Sequence, residues 1–593
     1  MSKSTIKLGL FLLLALSILA IYSSRFFHGL TTSPKALATE APQQASGAES
    51  TLPEASADLI RVGISNDEMS EQSMTTTILT AEGAFHLFAQ EQGDAISYFQ
   101  AGDALSFSVE GGRLYVQVRR VGQRDFSPLR LSNQTFLGKE AWLKPEDPHV
   151  FLKVLNLQRQ GKTPRFRGVM QVKTLPAQAS QLQLINQLPM QDYLRAVVPN
   201  ELPIRFGAEA VKAQAVTARN YAVRPREKNW QDFDICDSQL CQAYYGQQTE
   251  TPATDEMLEK TAGQVLLCGE EVALTLYSSS HGGVSTNYHN AFSDVKTQAF
   301  PAPPLPYLSS VQDDATIKAR YPNLREESTF LAYLKDDTLP SFDQKSPHFR
   351  WKQNITYAQL TENVQRNLPQ LLKRPSTARW IETSVRVQKK IGNVTKLEPL
   401  KRDDSGKLMR LKVHTTTGSI IATKEFVIRS LLRTPHKLFL SASIAFEPWR
   451  NEAKEVVGVT IYGTGFGHGV GMSQFGASGM NDLGYTYPKI LAHYYSNTEL
   501  GSLPLVLNDS TPQQQKVHGV LGHRAVLHVK PLKAHRIDTP FVLRLNDVSL
   551  RILPFHSDHR VFDVTHYVQA DALNTLHWPA YPNVKVWLSF PLA

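Results

Sequence analysis

An α+β fold is the class this sequence predicts: a core in which mixed β-sheets and helices form a cleft, followed by a C-terminal all-β sandwich of jelly-roll-like character. Three observations carry that reading. From Leu59 to Asn186 short alternating apolar runs succeed one another, the period of half-buried strands. Between Ala208 and Ala222 the period changes, because Ala208, Val211, Ala215, Ala218 and Ala222 recur at three and four residues, as on a helix with a narrow, closely packing face. Beyond residue 501, runs such as RAVLHVKPL, FVLRLNDVSLRI, RVFDVTHYV and VKVWLSFPL return at short spacing.

A chain of 593 residues, 42% hydrophobic and 20% charged, has room for about two to four folded domains. In order they read as a signal peptide or N-terminal membrane anchor over 1–30, a flexible linker over 31–58, an N-terminal β region over 59–180, a core over 181–500 and the accessory sandwich over 501–593. Lys3 and Lys7 precede the uncharged run Leu8–Tyr22, the layout of an export signal. The run is short for a membrane span, but Arg25-Phe26-Phe27 follows where a cleavage site is expected, so an uncleaved anchor and a cleaved signal both stand. Either one places the body outside the cytoplasm. The formal charge of +9, from 63 Lys and Arg against 54 Asp and Glu, favours anionic polymers without choosing among them.

Within the β region LIRVGI, AFHLFA, ISYF and LSFSVEGGRLYVQVRRV read as strands, with Gly111-Gly112 as a hairpin turn. Arg167–Val172 and Leu182–Asn186 are further strands leading into LPMQDYLRAVVPNELPIRFGAEAVKAQAVTARNY, residues 188–221. After the alanine-rich helix, Thr254 opens a capped helix that Gly263 closes, and QVLLCGEEVALTLY is a hairpin around Gly269-Glu270. Residues 313–450 contain the helix YAQLTENVQRNLPQLL, a hairpin MRLKVHTTTGSIIATKEFVIRSLL and a polar insertion near Lys389–Asp404. In GTGFGHGVGMSQFGASGM, Gly463, Gly465, Gly467, Gly469 and Gly471 alternate. A period-two strand would bare one face to a sugar ring or another backbone; a structural bend is the other reading. Thr486-Tyr487-Pro488 then opens a helix carrying Ile490, Leu491 and Tyr494.

The chemistry centres on Glu201, held between Pro199 and Pro203, whose rings restrict the backbone on both sides and bias it away from helix. This segment, with CDSQLCQ at 236–242, YSSSHGG at 277–283 and GFGHGVGMSQ at 465–474, resembles the stage II sporulation protein D (SpoIID/LytB) family over roughly residues 59–500. The resemblance implies a domain acting on bacterial cell-wall peptidoglycan. It implies a lytic transglycosylase with Glu201 as acid and then base, or a non-catalytic enhancer of an N-acetylmuramoyl-L-alanine amidase as partner. A glycan-binding envelope protein is a third class. Nucleic acid is not an expected partner; a membrane is one only through the N-terminal segment.

Ordinary glycosidases use two carboxylates, and these motifs offer one, which suffices if the substrate's own C6 hydroxyl is the nucleophile. Such an acid must be desolvated to stay protonated near neutral pH, a task for Val198 and Leu202. Arg219 would favour the ionised form, so it is assigned to substrate binding with Tyr221, Ser279, Ser280, His281, His468 and Gln474. His468 is expected to face Glu201 across one cleft. Cys236 and Cys241 read as a disulfide in an exported chain. Some relatives are thought to hold zinc with cysteines and a histidine, but no histidine lies between Glu201 and Cys241, so no cofactor is expected. Serine hydrolysis lacks the G-x-S-x-G elbow, and a phosphate loop lacks its pattern and lysine.

Overall fold

Two sheets form the N-terminal β region. One runs Ile235–Cys236, Leu59–Ile64, Leu182–Pro189, Val169–Thr174, Glu140–Pro145, Phe85–Phe88, Ser97–Phe99; the other runs Arg165–Phe166, Leu152–Val154, Thr76–Ala81, Ala104–Glu110, Arg113–Arg119, Ser127–Pro128. Pairing is antiparallel except where Leu59–Ile64 meets Ile235–Cys236. The Gly111-Gly112 turn closes its hairpin with both residues at positive φ. The computed structural model describes residues 59–593 apart from 70, 132–136, 177, 179, 225–231, 239, 295, 386–390, 436, 508–513, 533–535, 538–539, 557–558, 579–583 and 592–593. The signal or anchor and the linker read over 1–58 lie outside the described residues.

Strand Leu182–Pro189 runs directly into helix Met190–Glu201, which is followed by helix Ala208–Val223. The second helix is buried almost all round, packing on Met190–Glu201, Pro252–Glu259, Gln474–Asp482, Tyr487–Tyr494 and strand Gln264–Cys268. Its alanines make this possible, since only small side chains let so many elements approach one axis. Glu201 therefore sits at the C-terminal end of a helix packed against this buried one.

The C-terminal residues build antiparallel sheets, none of which closes into a barrel among the described residues. Val526–Pro531, Val584–Phe590 and Arg560–Asp563 extend a sheet that begins in the core with Gln264–Cys268 and Glu499–Ser502. Gln514–His518, Leu573–His577, Phe541–Leu545 and Val548–Ile552 form a second sheet, and both share the main hydrophobic core with Val62, Leu184 and Val211. A second core belongs to residues 355–461, where helices Tyr357–Lys373 and Glu425–Leu432 pack with the sheet Ile381–Thr383, Gly418–Thr423, Leu408–Thr415, Val394–Arg402. Among the described residues no helix is long and apolar enough to cross a membrane.

Four local readings are corrected. Pro199 lies inside helix Met190–Glu201 instead of turning the backbone away from helix, and the break comes at Leu202, before Pro203, which is extended (φ −143°, ψ 95°). The helix read from Thr254 begins at Pro252, capped by the Thr251 side chain, which accepts from Thr254 N. The polar insertion near Lys389–Asp404 contains strand Val394–Arg402, whose bulges break the period of two that would have revealed it. The glycine segment is not a strand: strand Val456–Gly463 stops, and Gly465, Gly467, Gly469 and Gly471 all adopt positive φ.

Candidate functional site

Glu201 ends its helix, where the helix dipole presents its negative pole and disfavours a carboxylate. Its neighbours Val198 and Leu202 are fully buried. Glu201 itself is half-buried, and its Oε1 accepts from the backbone N–H of Ala243 at 2.9 Å. Burial pushes its carboxyl up to about 7, against the opposing pull of the Ala243 N–H and the Gln474 amide. The Gln474 amide also donates to the Glu201 carbonyl at 3.0 Å, so the two motif stretches meet at this glutamate.

Ala243 is brought there by the turn that Cys236 and Cys241 close; they are joined in a disulfide with Cα atoms 5.6 Å apart. That bond leaves neither sulfur as a thiolate for a metal. Cys268 is free and half-buried. Replacing both disulfide cysteines by serine is expected to cost about 2 kcal/mol on loop-closure grounds, read as a lower urea midpoint at unchanged slope. The next residue, Gln242, is buried and takes three partners: its Oε1 accepts from Tyr193 Oη at 3.0 Å, and its Nε2 donates to Tyr277 Oη at 3.0 Å and Ala218 O at 3.3 Å.

Tyr277 stands between the glutamate and the glycine segment. Burial holds its hydroxyl well above the usual range, and the Glu201 charge adds to that, so it remains a neutral donor. The half-buried imidazole of His468 bonds the Tyr277 backbone, accepts from Val470 N at its Nδ1 (3.1 Å) and meets Phe292 edge-on at 5.4 Å. Burial brings it down to about 4, helped by Lys407 and Arg429 and opposed by Glu425, so it is uncharged at neutral pH.

The other singled-out residues spread over two depths. Tyr221 and Ser279 are half-buried; the Tyr221 ring lies 6.2 Å from Tyr277, and the Ser279 carbonyl accepts from Phe475 N at 3.0 Å. Arg219, Ser280 and His281 are inside. Arg219 donates to the Gln264 carbonyl at 2.9 Å, and burial lowers its guanidinium to about 10. Ser280 exchanges backbone bonds with Phe466 and accepts from Ser346 Oγ at 3.0 Å. His281 Nε2 pairs with Ser278 Oγ at 3.1 Å, while its backbone N–H donates to Asp343 Oδ2 at 2.6 Å.

The glycines explain how these layers fit. A Cβ on Gly465 would lie 2.7 Å from Ser280 O, on Gly467 2.5 Å from Ser278 Cβ, and on Gly471 2.0 Å from Leu276 O, so the segment lies against another backbone. Gly471→Ala, at φ +72°, is expected to cost roughly 1–3 kcal/mol, read by thermal unfolding; an unchanged melting temperature would show that the Leu276–His281 segment moves freely. Asp343, fully buried, accepts from His281 N, Gly282 N, Ser341 Oγ and Ser473 Oγ, and so ties the YSSSHGG and GHGVGMSQ stretches together. Among the described residues no group of three or more His, Cys, Asp or Glu is placed to hold a metal ion.

Residues 178–267, which include Glu201, Arg219, Tyr221 and the disulfide, match the family described as Stage II sporulation protein (SpoIID), and residues 294–471 match a Domain of unknown function (DUF8618). The Amidase enhancer of Bacillus subtilis (strain 168) is 28% identical over 318 residues, 52% of this chain and 40% of its own length. Stage II sporulation protein D of the same organism is 22% identical over 351 residues, 56% of this chain and 81% of its own. Its counterpart in Bacillus amyloliquefaciens is 25% identical over 336 residues, 53% and 75% respectively. The alignment thus spans less than half of the amidase enhancer, and the segment of this chain that is similar to the SpoIID family, residues 178–267, is the one that carries the glutamate and its disulfide turn.

Proposed function

We propose that this chain acts outside the cytoplasm on peptidoglycan, cleaving glycan strands between N-acetylmuramic acid and N-acetylglucosamine as a lytic transglycosylase. The observation that carries the reading is one glutamate, half-buried at a helix C-terminus, its carboxyl pushed by burial up to about 7, with the Gln474 amide and the neutral Tyr277 hydroxyl beside it. Protonated Glu201 gives its proton to the glycosidic oxygen as that bond breaks. The muramic C6 hydroxyl then bonds to C1, and its proton passes to the Glu201 carboxylate, so the product ends in a 1,6-anhydro ring and the acid is restored. Water is not consumed. Gln474, Tyr221, Ser279 and His468 are assigned to holding the sugars, and the interior Arg219, Ser280 and His281 to holding those residues in place. The strands over 501–593 serve as a jelly-roll-like accessory module, and an uncleaved N-terminal segment would tether the whole to the membrane.

A second reading is supported by the similarity to the amidase enhancer of Bacillus subtilis: binding glycan without cleaving it and stimulating an amidase. Mass spectrometry of products from intact and peptide-stripped peptidoglycan tests the first reading. Anhydro-muramyl ends support it; reducing muramyl ends, or no products, overturn it. Stimulation of an added amidase without products of its own favours the second.

A further inference from the structure

The positive charge of this chain is concentrated in one place. Residues 351–463 hold 20 Lys and Arg against 9 Asp and Glu, whereas the remainder holds 43 against 45, so the whole net charge of +9 resides in the segment with the second hydrophobic core. Ion pairs absorb little of it: Arg402, Arg410 and Arg429 meet Glu327, Glu382 and Glu425. Arg366 and Arg374 are exposed, and among the described residues neither has a carboxylate within ion-pair distance.

These two arginines converge with a third where helix Tyr357–Lys373 ends. Arg366 Nη2 donates to the Arg433 carbonyl at 3.0 Å and to Asn363 Oδ1 at 2.7 Å, anchoring it against the end of helix Glu425–Leu432. Arg366 and Arg374 lie near enough to Arg433 to lower its pKa, adding to burial. Exposed Lys373 and Lys437 flank the three. Cations after a helix C-terminus are ordinary, because they answer its dipole. Arg433 caps helix Glu425–Leu432 in the same way, so what the dipole leaves unexplained is that two helix ends bring their cations to one place, with Lys437 beyond the second. The cluster also runs toward the glycine segment: Lys437 acts on His348, whose ring packs 5.1 Å from Phe466, and Leu440 O accepts from Gly467 N at 3.0 Å.

We infer that this cationic end, formed by Arg366, Lys373, Arg374, Arg433 and Lys437, binds a linear phosphate-bearing polymer. Planar guanidinium forks match phosphate oxygens two at a time, and a concentration of like charge favours an anion of several phosphates over a single one. A membrane surface is the alternative anion, but it would be met by apolar side chains among the cations. The large exposed apolar residues of this unit, Leu400, Phe426 and Val456, lie on the sheet, at the far end of helix Glu425–Leu432 and at a strand start.

The test uses the whole chain and long-chain inorganic polyphosphate, with affinity measured by calorimetry at low and physiological salt. Binding is expected, weakening steeply with salt. The variant Lys373→Gln/Arg374→Gln/Lys437→Gln should bind about tenfold or more weakly, while Lys396→Gln/Lys401→Gln/Lys412→Gln, on the solvent face of the sheet, should stay within about twofold. Absence of binding at low salt, equal loss in both variants, or tighter binding to anionic phospholipid vesicles than to polyphosphate each overturns the assignment. Glycan cleavage is a separate readout: a first variant that keeps it while losing polyphosphate supports this site, and failure of the Glu201 reading leaves the binding result untouched.

Discussion

Replacing Glu201 by glutamine is expected to lower glycan cleavage by about 10²- to 10⁴-fold, the range lost with a general acid–base group, while the protein stays folded. Glutamine keeps the shape and the acceptor for Ala243 N–H, so the loss reports the proton alone. Because cleavage begins from the protonated acid, the wild-type rate should fall as pH rises through about 7. Stability follows the same group with a definite sign. The folded carboxyl titrates at about 7 against an ordinary value of 4.5, so between those values the folded state binds more protons than the unfolded one. Folding stability contributed by this group therefore declines as pH rises through that window. Glu201→Gln carries no such decline, and its melting temperature relative to wild type should rise from pH 5 to pH 8. Undiminished release of anhydro products by the variant would end the catalytic assignment. A melting-temperature difference independent of pH would place the Glu201 carboxyl in water instead.

The strands legible in the sequence were those whose faces differ. Arg113–Arg119 alternates buried and open residues, and its period of two was readable; Val394–Arg402 also turns one side inward, but three register shifts break its period, and it read as a polar insertion. Helix Ala208–Val223 was readable from its small-residue period. Helix Met190–Glu201 was not, because two prolines near its end masked a boundary that one of them, Pro203, sets. The alternating glycines were visible, and so was the close approach of a backbone they permit. Their period of two suggested a strand, yet positive φ at four of them makes a path no strand follows.

At the site, Glu201 and Gln474 were legible as members of motifs, and the contact between them is what a sequence separation of 273 cannot announce. Tyr277 and Gln242 lay inside quoted motifs without a role, because a hydroxyl or amide acquires one only from its neighbours. Ala243 acts through its backbone N–H, which every non-proline residue has. Asp343 stands alone in sequence, and only the fold shows that it binds two motifs together. Interior and cleft-side residues are equally motif-like: Arg219 is as conspicuous as Glu201, and only burial separates them.

Asp237→Ala is expected to destabilise the protein by about 3–5 kcal/mol, the cost of leaving one member of a buried ion pair alone. Asp237 Oδ2 accepts from Arg159 Nη2 at 2.9 Å, with both side chains almost wholly buried, at 1% and 0% exposure. Its Oδ1 accepts from Ser65 N at 3.0 Å and from the Ser65 hydroxyl. Alanine would leave the guanidinium with only the Ser65 and Gln158 carbonyls in a space that water does not reach. The damage should extend to chemistry, because Asp237 follows Cys236 and its backbone ties the turn to Gly63 and Tyr244. That turn delivers Ala243 N–H to Glu201, so a looser turn weakens the one backbone bond that favours the carboxylate. The Glu201 pKa should then move further up, carrying the alkaline limb of the pH–rate profile with it. Urea unfolding measures the first effect, and cleavage rate against pH the second. Arg159→Met/Asp237→Leu separates ion-pair loss from cavity formation, since removing both charges together should recover most of the lost stability. A single-variant loss below about 1 kcal/mol, or a double variant no better than Asp237→Ala, would show that this pair is not sealed from water.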